Sequence, residues 1–322
     1  MKKKVTVIVN PKSGTFLKKI ALRTTIENSI DEEKFDMQYF TTEFKGHASE
    51  ITKQAVNDGS DYVVAVGGDG TINEVASSLV NTNTALCIVP IGSGNGLARH
   101  LQIPMAVGNA LSMLKEELIC EIDYCKANDQ IFFCTCGVGF DAQVSFKFAN
   151  DKFRGSLGYL KRMITEYLSY KPEEYTLLDE NGEIQERAFL VTCANASQWG
   201  NDAYIAPSAN VQDGLLDIAI LKPFTPLDVP QIALQIFTKT IEQNSKFSII
   251  KKKRIVIERA NEGIMHIDGE PIHMGKRIEV TVFPKGLKVL VPKVKVPYII
   301  EPIHYTFQNI LQIMREDLGI RI

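Results

Sequence analysis

Short apolar runs alternate with helical periodicity through the first ~125 residues, and this alternation constrains the fold more than any other feature. Residues 5–9 (VTVIV) and 62–66 (YVVAV) are typical of strands buried on both faces, and residues 37–41 and 85–89 indicate two more strands. Apolar residues at helical spacing lie between and after them, at residues 16–30, 47–57, 71–79 and 109–118. The pattern predicts an α/β domain over residues 1–125, with a Rossmann-like parallel sheet.

The remainder of the chain, residues 126–302, is dominated by strand-like runs separated by turn dipeptides such as Asn181-Gly182 and Asp213-Gly214. An all-β, sandwich-like C-terminal domain is predicted, with a helical insertion around residues 155–170. Residues 303–322 predict a helix that packs back on the first domain. The predicted strands are residues 131–138, 174–178, 189–194, 216–221, 254–258, 264–267, 277–283 and 287–291.

Charge and composition exclude several classes of protein. The 36 Lys and Arg residues against 38 Asp and Glu give a net charge of -2, which argues against a strongly basic nucleic-acid binder. The longest uncharged run lies between Glu74 and Arg99 and contains many polar residues, so no transmembrane helix is predicted. The six cysteines lack the spacing of a zinc site and indicate a cytoplasmic protein with reduced thiols.

The most informative turn comes after the strand at residues 62–66 and reads Gly67-Gly68-Asp69-Gly70-Thr71. Glycines let backbone N–H groups approach a ligand closely, and a helix N-terminus adds unpaired donors, so the turn suits phosphate oxygens. Asp69 would repel phosphate unless a cation lies between them, which favours a nucleotide carrying Mg²⁺. The alternative interpretation is a tight strand–helix turn that Asp69 caps.

Two further polar turns point the same way, at residues 10–14 (NPKSG) and 90–96 (PIGSGNG). In a parallel sheet such loops emerge at one edge, where open α/β folds bind ligands. The chain has no P-loop motif. Residues 92–96 do not complete the glycine fingerprint of a dehydrogenase-type dinucleotide fold.

In this order, the three turns resemble the nucleotide loops of the diacylglycerol kinase catalytic domain superfamily, which includes bacterial lipid kinases, sphingosine kinases and ceramide kinases. Residues 153–159, 213–217 and 267–270 add family-like text in the second half. The resemblance implies an N-terminal domain of the NAD-kinase/lipid-kinase type that binds ATP. It implies a C-terminal domain that binds a lipid alcohol, which would receive the γ-phosphate with Mg²⁺ as cofactor.

Residue roles come from the resemblance. A Mg²⁺ ion would be bound by the Asp213 carboxylate and by the main-chain carbonyls of Asn210 and Leu215. ATP would be bound by residues of the three turns and of the strand end at Thr42, namely Asn10, Pro11, Lys12, Ser13, Gly14, Thr42, Gly68, Asp69, Gly70, Thr71, Ile72, Asn73, Glu74 and Ser93.

The resemblance also implies a catalytic set. Asp268 and Glu270 flank Gly269 and can face an acceptor hydroxyl, so one of the two is predicted to take its proton, with Asp69 helping to hold metal and water. The sequence does not choose between Asp268 and Glu270, and a plain β-turn remains the local alternative. For His47, a capping or packing role is favoured over catalysis.

Two other features of the sequence concern the acceptor and the membrane. Residues 145–172 combine six basic with two acidic residues and many aromatic ones, which indicates contact with an anionic membrane or a helix covering the β domain. The third turn departs from the usual bacterial Gly-Thr-x-Asn-Asp form. The turn is closer to the sphingosine and ceramide kinase form, which leaves the acceptor open. Diacylglycerol remains the first expectation, giving phosphatidic acid, with a sphingoid base or another lipid alcohol behind it. Trp199 is predicted to line the acceptor pocket or to lie in the core.

Two other functions compete with a lipid kinase that works at the inner face of the membrane. A NAD kinase also uses a Gly-Gly-Asp-Gly turn, and a nucleotide or lipid sensor could keep the fold without catalysis. The carboxylates Asp69, Asp213, Asp268 and Glu270 argue against a pure binder, because they would lie near phosphates without a chemical task. The oligomeric state is left open, with a homodimer as one arrangement.

Overall fold

A computed structural model of the chain describes residues 2–13, 16–149 and 170–293. Four parallel strands form one half of the first sheet, in the order β2-β1-β3-β4. They are β1 (Lys3–Val9), β2 (Phe35–Thr41), β3 (Tyr62–Gly67) and β4 (Ala85–Pro90). Every residue of β3 and β4 is buried, as a parallel strand covered on both faces requires.

Helices cover both faces of this parallel half. On one side α1 packs with α5, and on the other α2 packs with α3. The helices, including the short α4 beside the sheet edge, are α1 (Phe16–Ser29), α2 (His47–Asn57), α3 (Asp69–Leu79), α4 (Gly96–His100) and α5 (Val107–Glu116). The expected α/β architecture of the N-terminal part is confirmed.

The first sheet does not stop at the parallel strands. The long strand β16 (Arg277–Leu290) pairs with β4 through Val289 and Leu86, and then continues the sheet antiparallel to β13 (Arg254–Arg259). Further antiparallel strands are β5 (Ile119–Ala127), β6 (Gln130–Phe132), β8 (Glu173–Asp179) and β9 (Gly182–Ala188). The predicted domain boundary at 125/126 falls inside β5, and the division into two domains stays a prediction.

A second, six-stranded antiparallel sheet has the order β12-β11-β10-β7-β14-β15. Its strands are β7 (Thr135–Gly139), β10 (Leu190–Ala194), β11 (Leu216–Leu221), β12 (Phe247–Lys252), β14 (Gly263–Ile267) and β15 (Glu270–Met274). Its inner face packs on the antiparallel part of the first sheet around Tyr175, Ile257 and Val191, and the expected sandwich is confirmed. Helices α6 (Phe140–Ala149) and α7 (Val229–Phe237) accompany the outer face.

Two strand predictions were wrong in an informative way. Residues 131–138 do not form one strand. The backbone N–H groups of residues 133–135 bond to the Asp268 carboxylate and not to a neighbouring strand, so β6 ends before them and β7 begins as a separate strand. Residues 277–283 and 287–291 do not form two strands either. They belong to one strand, β16, with a bulge in which Lys285 donates its backbone N–H to Asp123.

Several predictions fall outside the described residues. These are Gly14, most of the basic segment 145–172 with its predicted helical insertion, and the predicted C-terminal helix at residues 303–322. All six cysteines are free thiols, and five of them are buried. No helix among the described residues has the length and apolar character needed to cross a bilayer.

Candidate functional site

The carboxyl edge of the parallel sheet brings the three polar turns together. The Asn10 amide at the end of β1 donates to Thr71 Oγ1 at 2.9 Å, which ties the first turn to the glycine-rich turn, residues 67–71. A Cβ atom on Gly92 would lie 2.5 Å from the Cα atom of Gly68, so these two backbones can approach only because both residues are glycine. The turns therefore form one continuous surface.

Asp69 fastens the glycine-rich turn to the third turn, residues 92–96. Its carboxylate accepts the backbone N–H of Asn95 at 2.8 Å and that of Gly96 at 2.7 Å, at the beginning of α4. The expected capping by a turn Asp thus occurs, but on the neighbouring loop and not on α3 itself. A carboxylate oxygen keeps a second lone pair, so the role of Asp69 toward metal or water stays a prediction.

The loop between β2 and α2 closes a third side of this surface. Thr42 is buried and donates its backbone N–H to Val9 O at 2.9 Å, so its backbone lies beside the end of β1. Gly46, with a φ of 93°, donates its N–H to Glu74 Oε1 at 2.9 Å. The Glu74 carboxylate thus holds the loop between β2 and α2 in place, a role that sequence analysis did not predict for it.

His47 lies at the start of α2 in a packing role. Its ring stacks on Phe44 with the centroids 4.6 Å apart, and its Nδ1 accepts the backbone N–H of Glu43 at 3.1 Å. These contacts agree with the packing role favoured from the sequence.

The acidic turn, residues 267–270, faces this surface from the sandwich. Asp268 points inward and accepts the backbone N–H groups of residues 133–135 at 2.8–3.0 Å. It also accepts the Asn73 amide at 2.9 Å, which connects it to α3. Burial raises the pKa of the Asp268 carboxyl above its ordinary value, and these donors oppose the shift. Asp268 thus accepts four hydrogen bonds and connects the acidic turn both to helix α3 and to residues 133–135.

Glu270 is the contrasting carboxylate of the acidic turn. Its side chain is 57% exposed, and Oε1 lies 3.6 Å from the position that a Cβ on Gly70 would take. Its other oxygen lies 3.4 Å from the Lys45 ammonium. Two lobes are distinguished here: the parallel lobe, which comprises β1–β4 and α1–α5, and the sandwich lobe, which comprises the antiparallel strands. Glu270 belongs to the sandwich lobe and lies over the glycine-rich turn of the parallel lobe, with its carboxylate accessible.

The remaining residues predicted for ATP differ in what they can offer. The Ile72 side chain lies in the core and its N–H bonds to Gly68 O, so it offers the site little. Asn73 is occupied by Asp268. Residues 11–13 and Ser93 lie on exposed or half-exposed loop positions at the same edge of the sheet.

The residues predicted to bind metal form a separate cluster in the loop that precedes β11. Asp213 Oδ1 accepts the N–H of Leu215 at 3.0 Å, and Asn210 O accepts the N–H of Asp213 at 3.4 Å. The Lys251 ammonium lies 3.9 Å from Asp213 and 2.8 Å from the buried Asp217. Within the described ranges, no group of three or more His, Cys, Asp or Glu side chains could hold a metal ion.

Residues 200–202, called the clamp below, hold the third turn in place, and sequence analysis did not predict this contact. Gly200, with a φ of 115°, lies so close to Gly94 that an added Cβ would be 2.9 Å from its Cα. Asn201 donates its N–H to Gly94 O at 3.1 Å, and Arg99 joins Asp202 at 2.7 Å. The glycine after the lone tryptophan was the available signal. Trp199 itself packs against the apolar cluster on the outer face of the second sheet.

The geometry places a loop surface that suits phosphate on one lobe and an exposed carboxylate on the other, which is the arrangement that a phosphotransferase needs. The sequence matches the diacylglycerol kinase catalytic domain over residues 4–127 and the YegS C-terminal NAD kinase beta sandwich-like domain over residues 134–291. The chain belongs to the diacylglycerol kinase catalytic domain superfamily and is a kinase of the lipid kinase type.

Individual relatives agree with this. A protein of Shewanella frigidimarina named "Probable lipid kinase YegS-like" is 27% identical over 284 residues, which cover 85% of this chain and 87% of the relative. The "Probable lipid kinase YegS" of Salmonella arizonae is 28% identical, covering 82% and 89% of the two chains. A crystal structure of a diacylglycerol kinase from Bacillus anthracis has the same fold, with a TM-score of 0.71 at 22% identity, covering 91% and 98% of the two chains.

Proposed function

We propose that this kinase transfers the γ-phosphate of ATP to a lipid hydroxyl, with diacylglycerol as acceptor and phosphatidic acid as product. The observation that carries the proposal is the position of Glu270, whose exposed carboxylate lies directly beside Gly70 of the glycine-rich turn. Phosphoryl transfer needs a hydroxyl held in line with the γ-phosphate and a group that takes its proton. A hydroxyl between the glycine-rich turn and Glu270 would meet both needs.

The phosphates of ATP would lie on the turns at the sheet edge. Backbone N–H groups there can be approached closely because Gly68 and Gly92 carry no side chains, and α3 begins within the turn at Asp69. Amides and a helix N-terminus favour an anion without a lysine at the centre of the site. Thr42 and Ser93 add hydroxyls at the rim.

Within the acidic turn, Glu270 is the better base. Asp268 already accepts four hydrogen bonds, so a substrate hydroxyl would have to displace one of them. Glu270 has an exposed carboxylate with the Lys45 ammonium beside it. The Glu270 carboxylate would accept the hydroxyl proton while the oxygen attacks phosphorus and the bond to the leaving ADP breaks.

Magnesium fits the donors of the 210–215 loop in kind. The Asp213 carboxylate and backbone carbonyls are oxygen ligands, which this hard ion prefers, and Asn210 and Leu215 would supply the carbonyls. The Lys251 ammonium would compete with Mg²⁺ for this carboxylate, since it lies 3.9 Å from Asp213. When bound, Mg²⁺ would supply positive charge that orders this loop. Peripheral, cytoplasmic contact with an anionic membrane belongs to the same proposal, because the acceptor is a bilayer lipid.

A label-transfer assay tests the proposal. Purified protein receives γ-labelled ATP, Mg²⁺ and mixed micelles of diacylglycerol, with sphingosine micelles and NAD in parallel reactions. Label in phosphatidic acid supports the proposal. Label in the sphingoid lipid changes the acceptor, label in NAD identifies a NAD kinase instead, and bound ATP without any transfer identifies a sensor.

A further inference from the structure

The loop between β2 and α2 carries an exposed aromatic ring that the proposed chemistry leaves unused. Phe44 is 53% exposed, and one face of its ring lies on His47 with an interplanar angle of 3°. His47 Nδ1 accepts the backbone N–H of Glu43 at 3.1 Å, which holds the imidazole ring in place. Phe44 and His47 thus form an ordered two-ring stack.

Three contacts hold this stack against the site. Thr42 N–H bonds to the end of β1, and Gly46 N–H bonds to Glu74 in the first turns of α3. Lys45, between Phe44 and Gly46, reaches the Glu270 carboxylate. Phe44 is therefore a fixed feature at the border of the predicted phosphate surface.

An exposed phenylalanine is by itself ordinary, because folded proteins expose many apolar atoms. Phe40 provides the comparison, being 40% exposed in the edge strand β2 that leads into this loop. Phe44 differs from Phe40 in its ring stack and in the tethers to both lobes on either side of it. A flat ring held in this way beside a phosphate site matches a planar heterocycle attached to that phosphate.

We propose that the open face of Phe44 receives the adenine ring of ATP, so that base, Phe44 and His47 form one continuous stack. This inference rests on the proposed function, since it requires ATP at the sheet edge. Stacking reads the flat surface of a base and not its hydrogen-bonding edge. Phe44 therefore favours nucleoside triphosphates over base-free polyphosphate, with little discrimination between ATP and GTP.

Equilibrium binding of ATP and of inorganic tripolyphosphate, both with Mg²⁺, tests this inference in the full-length protein. Phe44→Ala is expected to weaken ATP binding about tenfold and to leave tripolyphosphate binding unchanged. Phe40→Ala is the matched control and is expected to bind both ligands as the unchanged protein does. Phe44→Trp retains a stacking surface and is expected to retain ATP affinity.

The Phe44→Trp variant supplies a second readout. The chain has a single tryptophan, Trp199, so the introduced indole adds a separable fluorescence signal. ATP is expected to quench that added signal, and tripolyphosphate is expected to leave it unchanged.

The outcomes separate this inference from the proposed function. Failure of the unchanged protein to bind ATP overturns the proposed function, and the stack with it. Normal ATP binding together with an unaffected Phe44→Ala variant overturns the stack alone. Equal weakening of ATP and tripolyphosphate in Phe44→Ala also overturns it, because the residue would then act through loop structure.

Discussion

The glycine-rich turn and the acidic turn, one from each lobe, both contain an Asp-Gly pair, and they use it in the same way. Asp69 accepts two backbone N–H groups of the third turn, and Asp268 accepts three from residues 133–135. Each aspartate thereby joins its own turn to a loop that is distant in sequence. The turns differ in the residue after this pair, because the acidic turn continues with Glu270, whose carboxylate remains exposed.

This difference separates assembly from chemistry. A carboxylate saturated with backbone donors fixes loop positions, and its protonation state is tied to the fold. A carboxylate that is open to solvent can exchange a proton with substrate. On this comparison we propose that Asp268 serves assembly and that Glu270 serves proton transfer.

The largest expected effect tests the proposed role of Glu270 in proton transfer. Glu270→Gln removes the proton acceptor but keeps the shape of the side chain, so lipid phosphorylation should fall about 10²–10⁴-fold. The midpoint of urea unfolding should not change, because the side chain is exposed. Wild-type turnover in this variant would show that Glu270 is not the base.

The substitution Asp268→Ala tests the structural role of Asp268. It leaves three inward-facing backbone N–H groups and the Asn73 amide without their acceptor, so the free energy of unfolding should fall by about 3–4 kcal/mol. Glu270→Ala is the matched control in the same turn and should stay within about 0.5 kcal/mol of the parent. Equal destabilisation by the two alanine variants would contradict the division of roles.

Gly200→Ala tests whether the clamp holds the third turn. A methyl group there would contact Gly94, and the positive φ adds strain, so unfolding should become easier by about 1–3 kcal/mol. The KM for ATP should rise as the third turn shifts. Gly275→Ala is the control, since an added Cβ at that glycine has no neighbour within 4 Å. A KM unchanged in Gly200→Ala would mean that the clamp does not serve nucleotide binding.

A smaller effect concerns pH. Because burial raises the pKa of Asp268 in the folded protein, the folded state binds its proton more tightly than the unfolded state does. The free energy of unfolding of the parent, minus that of Asp268→Asn, should therefore decrease as pH rises from about 4 through the raised pKa. Urea unfolding of both proteins across this range measures the difference. An increase with pH would show that the four donors outweigh burial.

Much of the fold is encoded in local sequence. Helix α2 was predicted with the bounds that the structure shows, because its apolar positions repeat at helical spacing and Asp58-Gly59 ends it. The fold class and the family were confirmed. The break between β6 and β7 could not be predicted, since its cause is a carboxylate more than 130 residues further along the chain.

The site was less predictable than the fold. Sequence brought the correct turns to one edge, but Asp268 and Glu270 are indistinguishable until burial and donors are known. The clamp at Gly200 depends on a backbone approach to Gly94 that no local pattern encodes. The predicted metal ligands Asp213, Asn210 and Leu215 stay predictions, as do the ATP contacts.

The central claim is that phosphate and acceptor meet beside Gly70 and the Glu270 carboxylate. A crystal structure with a non-hydrolysable ATP analogue and Mg²⁺ tests it most directly. The account predicts the γ-phosphate on the amides of residues 67–71, with the Glu270 carboxylate facing it. A γ-phosphate bound elsewhere, or a Glu270 carboxylate turned away from it, would contradict the account.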